Sequence, residues 1–119
     1  MIFLNSTSEI LRVVTGSAAD VEFDVSYADA ASGVVTLGDT PLTAGITTAT
    51  TTTILASPAA STTRKAKWIS LHNNHASTST TVRVEKFDAT NAAVLKNLTL
   101  LAGETLEYME GVGWTHYDA

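Results

Sequence analysis

The sequence contains no cysteine in its 119 residues, and only 16% of them are charged. The absence of cysteine excludes disulfide bonds, cysteine-ligated zinc and thiol catalysis. The net charge of −5 disfavours generic binding to nucleic acid or to an anionic membrane. No segment approaches the ~20 apolar residues of a membrane span, and the start, MIFLN, lacks the basic region and the apolar length of a signal peptide. We therefore expect a soluble product made in the cytoplasm.

Helical patterns are nearly absent as well, because the one alanine-rich stretch, Asp29–Ser32, is short and runs into a glycine. Hydroxyl residues fill the place of the missing charges, above all 20 threonines. A hydrophobic fraction of 45% with few charges is the opposite of the composition that keeps a chain disordered. The length suits one domain with a real core.

Strand patterns recur along the whole chain. In DVEFDVSY (20–27), apolar and polar residues alternate, which is typical of a half-buried antiparallel strand. Similar segments recur at intervals of ~8–12 residues, separated by turns rich in Gly, Asn, Asp and Ser. They span 9–15, 32–39, 65–73, 79–88, 92–101, 104–110 and 112–118. We predict an all-β fold for 9–119, a single-domain antiparallel β-sandwich or small jelly-roll-like barrel of about eight strands. Residues 1–8 form either an N-terminal arm or the first strand.

The threonine-rich run GITTATTTTILASPAASTTRKAKW (45–68) has the composition of a linker, but its chemistry favours an ordered strand. Threonine is β-branched and stiff, whereas flexible linkers favour Gly and Ser. The run is framed by Ile46 at one end and by Ile54 and Leu55 at the other. Because neither face is strongly apolar in the middle, we expect an edge strand or one that lies against another subunit. Pro58 then ends the ladder in a loop.

Three groups of residues are candidates for contacts with other chains. The first is the apolar start of the chain, the second the threonine edge, and the third a basic cluster that is suited to meet an acidic stripe on a neighbouring subunit. A calcium site in that stripe is disfavoured, because no loop wraps the carboxylates around an ion. The residues are Ile2, Phe3, Leu4, Thr48, Thr50, Thr52, Arg64, Lys65, Lys67, Asp20, Glu22 and Asp24.

No catalytic or cofactor motif is present, so we predict a non-enzyme without cofactor or metal. The chain has no Gly-x-Ser-x-Gly elbow and no phosphate-binding loop, and the spacing of Glu104, Glu107 and Glu110 along one strand does not suit a glycosidase pair. The histidines (His72, His75 and His116) lack the helical motifs that commonly hold zinc. The large aromatics suit core or interface positions better than a sugar-stacking platform. These aromatics are Trp68, Tyr108, Trp114 and Tyr117.

Two long segments resemble small virion structural proteins of tailed bacteriophages. They are ITTATTTTILASPAASTTRKAKWISLHNNHASTSTTV (46–82) and LLAGETLEYMEGVGW (100–114), and the likeness extends over most of the chain from about Asp20 onward. Neither segment is a catalytic motif, so the resemblance transfers no functional residues. Capsid decoration proteins and tail or fibre components both use small β-sandwiches, so the position in the particle rests on analogy of fold.

The resemblance implies a capsid decoration (cement) protein that binds the major capsid protein and oligomerises, with a trimer as the expected state. It would be made in the bacterial host cytoplasm and be located in the virion, without nucleic-acid or membrane partners. A tail, fibre or head–tail component is the alternative within the same class. A carbohydrate-binding module that uses Trp68, Tyr108 and Trp114 is the alternative from another class.

Overall fold

The computed structural model describes residues 1–119 and contains ten β-strands and no helix. The strands form two antiparallel sheets, which confirms the predicted all-β sandwich. Their bounds are β1 (Ile2–Leu4), β2 (Ile10–Thr15), β3 (Val21–Ala31), β4 (Val34–Asp39), β5 (Thr51–Leu55), β6 (Thr63–Asn73), β7 (Thr80–Phe87), β8 (Ala92–Leu100), β9 (Thr105–Met109) and β10 (Gly113–Tyr117).

The first sheet has the strand order β10-β9-β6-β3-β4, and the second has the order β5-β2-β7-β8. The long strand β6 is central to the first sheet, because β3 pairs along one side of it while β9 and β1 share the other side. Seventeen buried residues from both sheets form one hydrophobic core. The alternation along β3 predicted this arrangement, since Val21 and Val25 are fully buried while Glu22 is exposed.

The first residues are a strand of the sandwich. Ile2 and Leu4 of β1 belong to the core, with 7% and 0% of their surface exposed, and β1 pairs with Arg64–Ala66 of β6. Burying each of these two side chains contributes about 1.5–3 kcal/mol to folding. Of the three apolar residues predicted to contact another chain, only Phe3 is exposed.

The threonine-rich run does form an edge strand, β5, which lies at one end of the second sheet. It is shorter than predicted, because the strand covers only Thr51–Leu55 and Ile46 makes an isolated bridge with Val21. The ladder with β2 shifts by one residue, so that Leu55 lies opposite Leu11 and Thr53 opposite Arg12. This bulge allows the adjacent residues Ile54 and Leu55 both to be buried, at 2% and 1% exposed.

Candidate interaction surface

Strand β4 is the most exposed apolar element of the molecule. It pairs only with β3, so one of its edges is unpaired. Val34, Val35 and Leu37 are 63%, 66% and 73% exposed. Edge strands of soluble monomers are normally protected by lysine, proline or a bulge, and residues 34–38, VVTLG, contain none of these. An apolar edge of this kind is a surface suited to another chain.

The apolar surface continues from β4 across the outer face of the first sheet, the face that points away from the second sheet. The registers place Phe3, Lys65, Ala28 and Leu37 in one cross-strand row, so their side chains share that face. Next to this row lies an open groove of about 640 Å³. Its lining residues are Ser26, Tyr27, Leu37, Gly38, Asp39, Lys67, Trp68 and Met109. We call the row, the groove and the β4 edge together the β4 surface.

The predicted aromatic residues are divided between the two faces of the first sheet. Trp68 lies on the outer face, where its Nε1 donates to Glu107 Oε2 at 2.9 Å, and the Tyr117 hydroxyl is 3.2 Å from Oε1 of the same carboxylate. Tyr108 is 5% exposed within the core, and its ring centroid lies 5.1 Å from that of Trp114 on the inner side. Trp68, Tyr108 and Trp114 therefore do not form one sugar-stacking platform.

The acidic stripe occupies the end of the outer face farthest from the row of Phe3 and Leu37. Glu22 and Asp24 of β3 lie opposite His72 and Ser70 of β6, and Asp20 precedes the strand. Oδ1 of Asp24 is buried and has no hydrogen-bond partner. Burial first, and then the neighbouring Asp39, raise the pKa of Asp24.

Arg64 of the basic cluster is engaged within the chain. Its Nε and Nη2 donate to the two carboxylate oxygens of Asp29 at 2.8 and 2.9 Å, and the guanidinium lies 4.1 Å from the centre of the Tyr27 ring. Nη1 donates to the carbonyl of Ala56, which follows β5, at 2.9 Å. Arg64 therefore ties the end of the first sheet to the loop that leaves the second.

The two lysines of the cluster share one partner. Lys65 and Lys67 both form ion pairs with Glu110 in the β9–β10 turn. The hydrogen bond from Lys65 is the main cause that lowers the pKa of Glu110. Because the three cations bind Asp29 and Glu110, the structure does not bring the basic cluster to the acidic stripe within the chain.

The exposed threonines of β5 are not the ones that were predicted. Thr51 and Thr53 are exposed, whereas Thr52 is half-buried opposite Val13. Thr48 and Thr50 are exposed but precede the strand, and their carbonyls accept hydrogen bonds from the Thr15 hydroxyl at 2.8 and 3.2 Å. Of the three predicted threonines, Thr48 and Thr50 are therefore exposed outside β5, and only Thr52 lies within it.

Ion pairs occupy the centre of the outer face of the second sheet. Glu85 is 4% exposed and accepts hydrogen bonds from the Nε atoms of Arg12 and Arg83, both at 2.7 Å. Burial acts to raise the pKa of Glu85, but the two arginines outweigh it and the pKa is lowered. Arg12 also stacks on Phe87 at 3.8 Å. On the same face, Val94 of the edge strand β8 lies opposite Glu85 and is 54% exposed.

The sequence-based prediction missed Val34, Val35 and Leu37, although a signal was present. Adjacent residues of a regular strand point to opposite faces, so in the absence of a bulge Val34 and Val35 are not both buried against one core. The pair of valines was therefore the feature that could have located this surface.

His72 and His75 do not form a common site. Nδ1 of His72 lies 2.8 Å from the Thr105 hydroxyl on the outer face. Nδ1 of His75 accepts the backbone N–H groups of Ser77 and Thr78 at 3.1 and 2.9 Å, which orders the turn before β7. Each imidazole therefore has a separate role in local structure.

Comparison with other proteins finds no match, so the chain is classified by its fold alone. No family model matches the chain, and no match is found among curated proteins or solved structures. No helix in the structure is long and apolar enough to cross a membrane. The class that the structure defines is an antiparallel β-sandwich with an exposed apolar edge.

Proposed function

We propose that this chain is a non-enzymatic structural protein of a tailed-bacteriophage virion, most specifically a capsid decoration protein that binds and stabilises the shell of the major capsid protein. The observation that carries the proposal is the β4 surface, where three large apolar residues lie on an unpaired strand edge. A protein that works alone in solution gains nothing from such a surface, whereas a subunit of a particle buries it on assembly. We infer the kind of particle from the resemblance of residues 46–82 and 100–114 to phage virion proteins.

The edges of the two sheets support assembly into a closed ring. A ring such as a trimer needs two different, complementary surfaces on each chain. The chain offers the apolar edge β4 on the first sheet and the threonine edge β5 on the second. Both edges can pair through backbone hydrogen bonds without removing many charges from water. We therefore propose that β4 of one chain pairs with β5 of the next, in a trimer.

The charge distribution supports protein partners rather than nucleic acid. Acidic residues exceed basic ones by 12 to 7, and the three cations of the basic cluster are paired within the chain. A phosphate backbone is bound by unpaired lysines and arginines. The partners that we propose are further copies of the chain and the major capsid protein, after synthesis in the bacterial cytoplasm.

Two rival functions make different demands on the same surface. A tail or fibre component would use the β4 surface at a few places in the particle, whereas a decoration protein covers the whole shell. A carbohydrate-binding module would need exposed, coplanar aromatics, and the burial of Tyr108 beside Trp114 weighs against it.

Quantification of the protein in purified virions separates these functions. We expect a copy number comparable to that of the major capsid protein, measured by densitometry or quantitative mass spectrometry of virions produced from the genome that encodes the chain. A value between a few and some tens of copies would favour the tail component. Absence of the chain from purified virions would overturn the proposal.

A further inference from the structure

The β9–β10 hairpin brings two carboxylates face to face. Its register pairs His116 with Leu106 and Tyr117 with Thr105, so the next residue of each strand, Asp118 and Glu104, are neighbours across the hairpin. Like charges that lie directly opposite each other on neighbouring strands are destabilising. The one basic side chain that pairs with Glu104 is His116, whose Nε2 lies 3.1 Å from Glu104 Oε1.

Glu104 is held rigidly in the turn that joins β8 to β9. Its side chain is only 7% exposed, and its Oε1 accepts the N–H of Leu101 at 2.7 Å. The backbone of Glu104 is fixed as well, because its N–H donates to the carbonyl of Leu101 at 3.1 Å and its carbonyl accepts the N–H of Asn73 at 3.0 Å. The same carboxyl group also lies within hydrogen-bond reach of the Asp118 side chain.

We propose that Glu104, His116 and Asp118 form a binding site for a divalent transition-metal ion, with Zn²⁺ as the best match. One ligand atom from each residue lies within 4.8 Å of the others. This inference goes beyond the proposed function and does not depend on it. The sequence-based prediction of no metal considered the histidines without the cross-strand carboxylates, which only the hairpin register brings together.

The kinds of ligand atom in the site determine which metal ions it is suited to bind. One imidazole nitrogen with two carboxylate oxygens suits zinc and similar ions, whereas magnesium and calcium prefer oxygen ligands alone. Zinc bonds of about 2.0–2.2 Å in a tetrahedron place ligand atoms roughly 3.4 Å apart. The 3.1 Å between Glu104 Oε1 and His116 Nε2 is close to that value. Two carboxylates neutralise the charge of the ion, and the fourth position is left for water.

Calorimetric titration of the full chain with ZnCl₂, after treatment with a chelator, tests this site. We expect one Zn²⁺ per chain. His116→Ala and Glu104→Gln should each raise the Kd by at least about tenfold, the scale on which metal sites respond to a lost partner. Glutamine keeps an acceptor oxygen for the N–H of Leu101, so we expect the Glu104→Gln variant to fold. His72→Ala is the matched control, because His72 lies in the same sheet on the opposite face.

Nuclear magnetic resonance of the parent chain makes the test independent of whether the variants fold. The ring ¹⁵N resonances of His116 should shift on addition of Zn²⁺ while those of His72 and His75 remain in place, and Mg²⁺ or Ca²⁺ should produce no such shift. The proposal is overturned if no Zn²⁺ binds, if His116→Ala leaves the Kd unchanged, or if His72→Ala weakens binding as much as His116→Ala does. It is also overturned if Ca²⁺ binds as tightly as Zn²⁺.

Discussion

At the scale of single residues, Asp24 destabilises the folded chain at neutral pH. Its Oδ1 is buried without a partner, and the carboxylate of Asp39 lies beside it. A buried polar atom without a hydrogen bond costs on the order of 1–3 kcal/mol. We therefore expect Asp24→Asn to increase the free energy of unfolding by about 1 kcal/mol at pH 7, because the amide removes the repulsion and can donate to Asp39.

The pH dependence of this gain follows from the raised pKa of Asp24. A raised pKa means that ionisation of this carboxyl disfavours the folded state, so the penalty is complete above the folded pKa, shrinks as the pH falls below it and is gone below the unfolded pKa. Urea unfolding at pH 7 and at pH 3.5, near the reference pKa of ~3.9, should show the gain only at pH 7. Glu22→Gln on the same face is the control and should change stability by less than about 0.5 kcal/mol. A variant Asp24→Asn that is less stable than the parent at pH 7 would contradict this reading.

At the scale of elements, the β3–β4 hairpin depends on close contact between a glycine and an aromatic ring. Tyr27 lies opposite Gly38 in the register, and a Cβ on Gly38 would overlap the Tyr27 ring. The same ring stacks on Arg64, which anchors the end of the first sheet to the second. The position of β4 is therefore coupled to the core through one aromatic side chain.

We predict that Gly38→Ala destabilises the protein by about 1–3 kcal/mol, the usual cost of overpacking. The measurement is a double-mutant cycle with Tyr27→Ala, read by chemical denaturation. In the Tyr27→Ala background the same substitution should cost nothing, or should stabilise, because alanine is less flexible than glycine in a strand. An equal cost in both backgrounds would show that the ring contact is not responsible.

The strands were largely predictable from the sequence, whereas their irregularities were not. Period-2 alternation located β3 and turn residues located most boundaries, because both depend on local chemistry. Three β-bulges were not foreseen, at Ile54, Lys67 and Leu95. A bulge changes which face a side chain occupies, and it is set by packing between strands that are distant in sequence.

At the scale of the whole molecule, the candidate surface was predicted only in part. The prediction of a β-sandwich that assembles through a threonine-rich edge was based on the composition and on the stiffness of threonine side chains. Both can be read directly from the sequence. The β4 surface was missed because exposure is a property of the assembled sheets. The pairing of Arg64 with Asp29 and of Lys65 with Glu110 was not foreseen, because these partners are remote in sequence. Pairs of this kind become visible only when the register is known.

The proposed pairing of β4 with β5, two of the four strands that end the sheets, is testable by complementation. Leu37→Lys places a charge on the β4 edge, and Thr51→Lys places one on the β5 edge; both residues are exposed, so the fold should be retained within about 0.5 kcal/mol. Val112→Lys is the matched control, because Val112 is an exposed apolar residue in the β9–β10 turn, at 71% exposed. In a ring made by β4 and β5, a mixture of the two defective chains still contains one intact interface.

The most direct measurement is the mass of these proteins in solution, by light scattering and sedimentation equilibrium. We expect the parent chain and Val112→Lys to have the mass of three chains of 12.5 kDa, and each of the two edge variants to have the mass of one. An equal mixture of Leu37→Lys and Thr51→Lys should form a complex of two chains. A parent protein that stays at the mass of one chain, or a Leu37→Lys variant that assembles like the parent, would contradict assembly through the β4 surface.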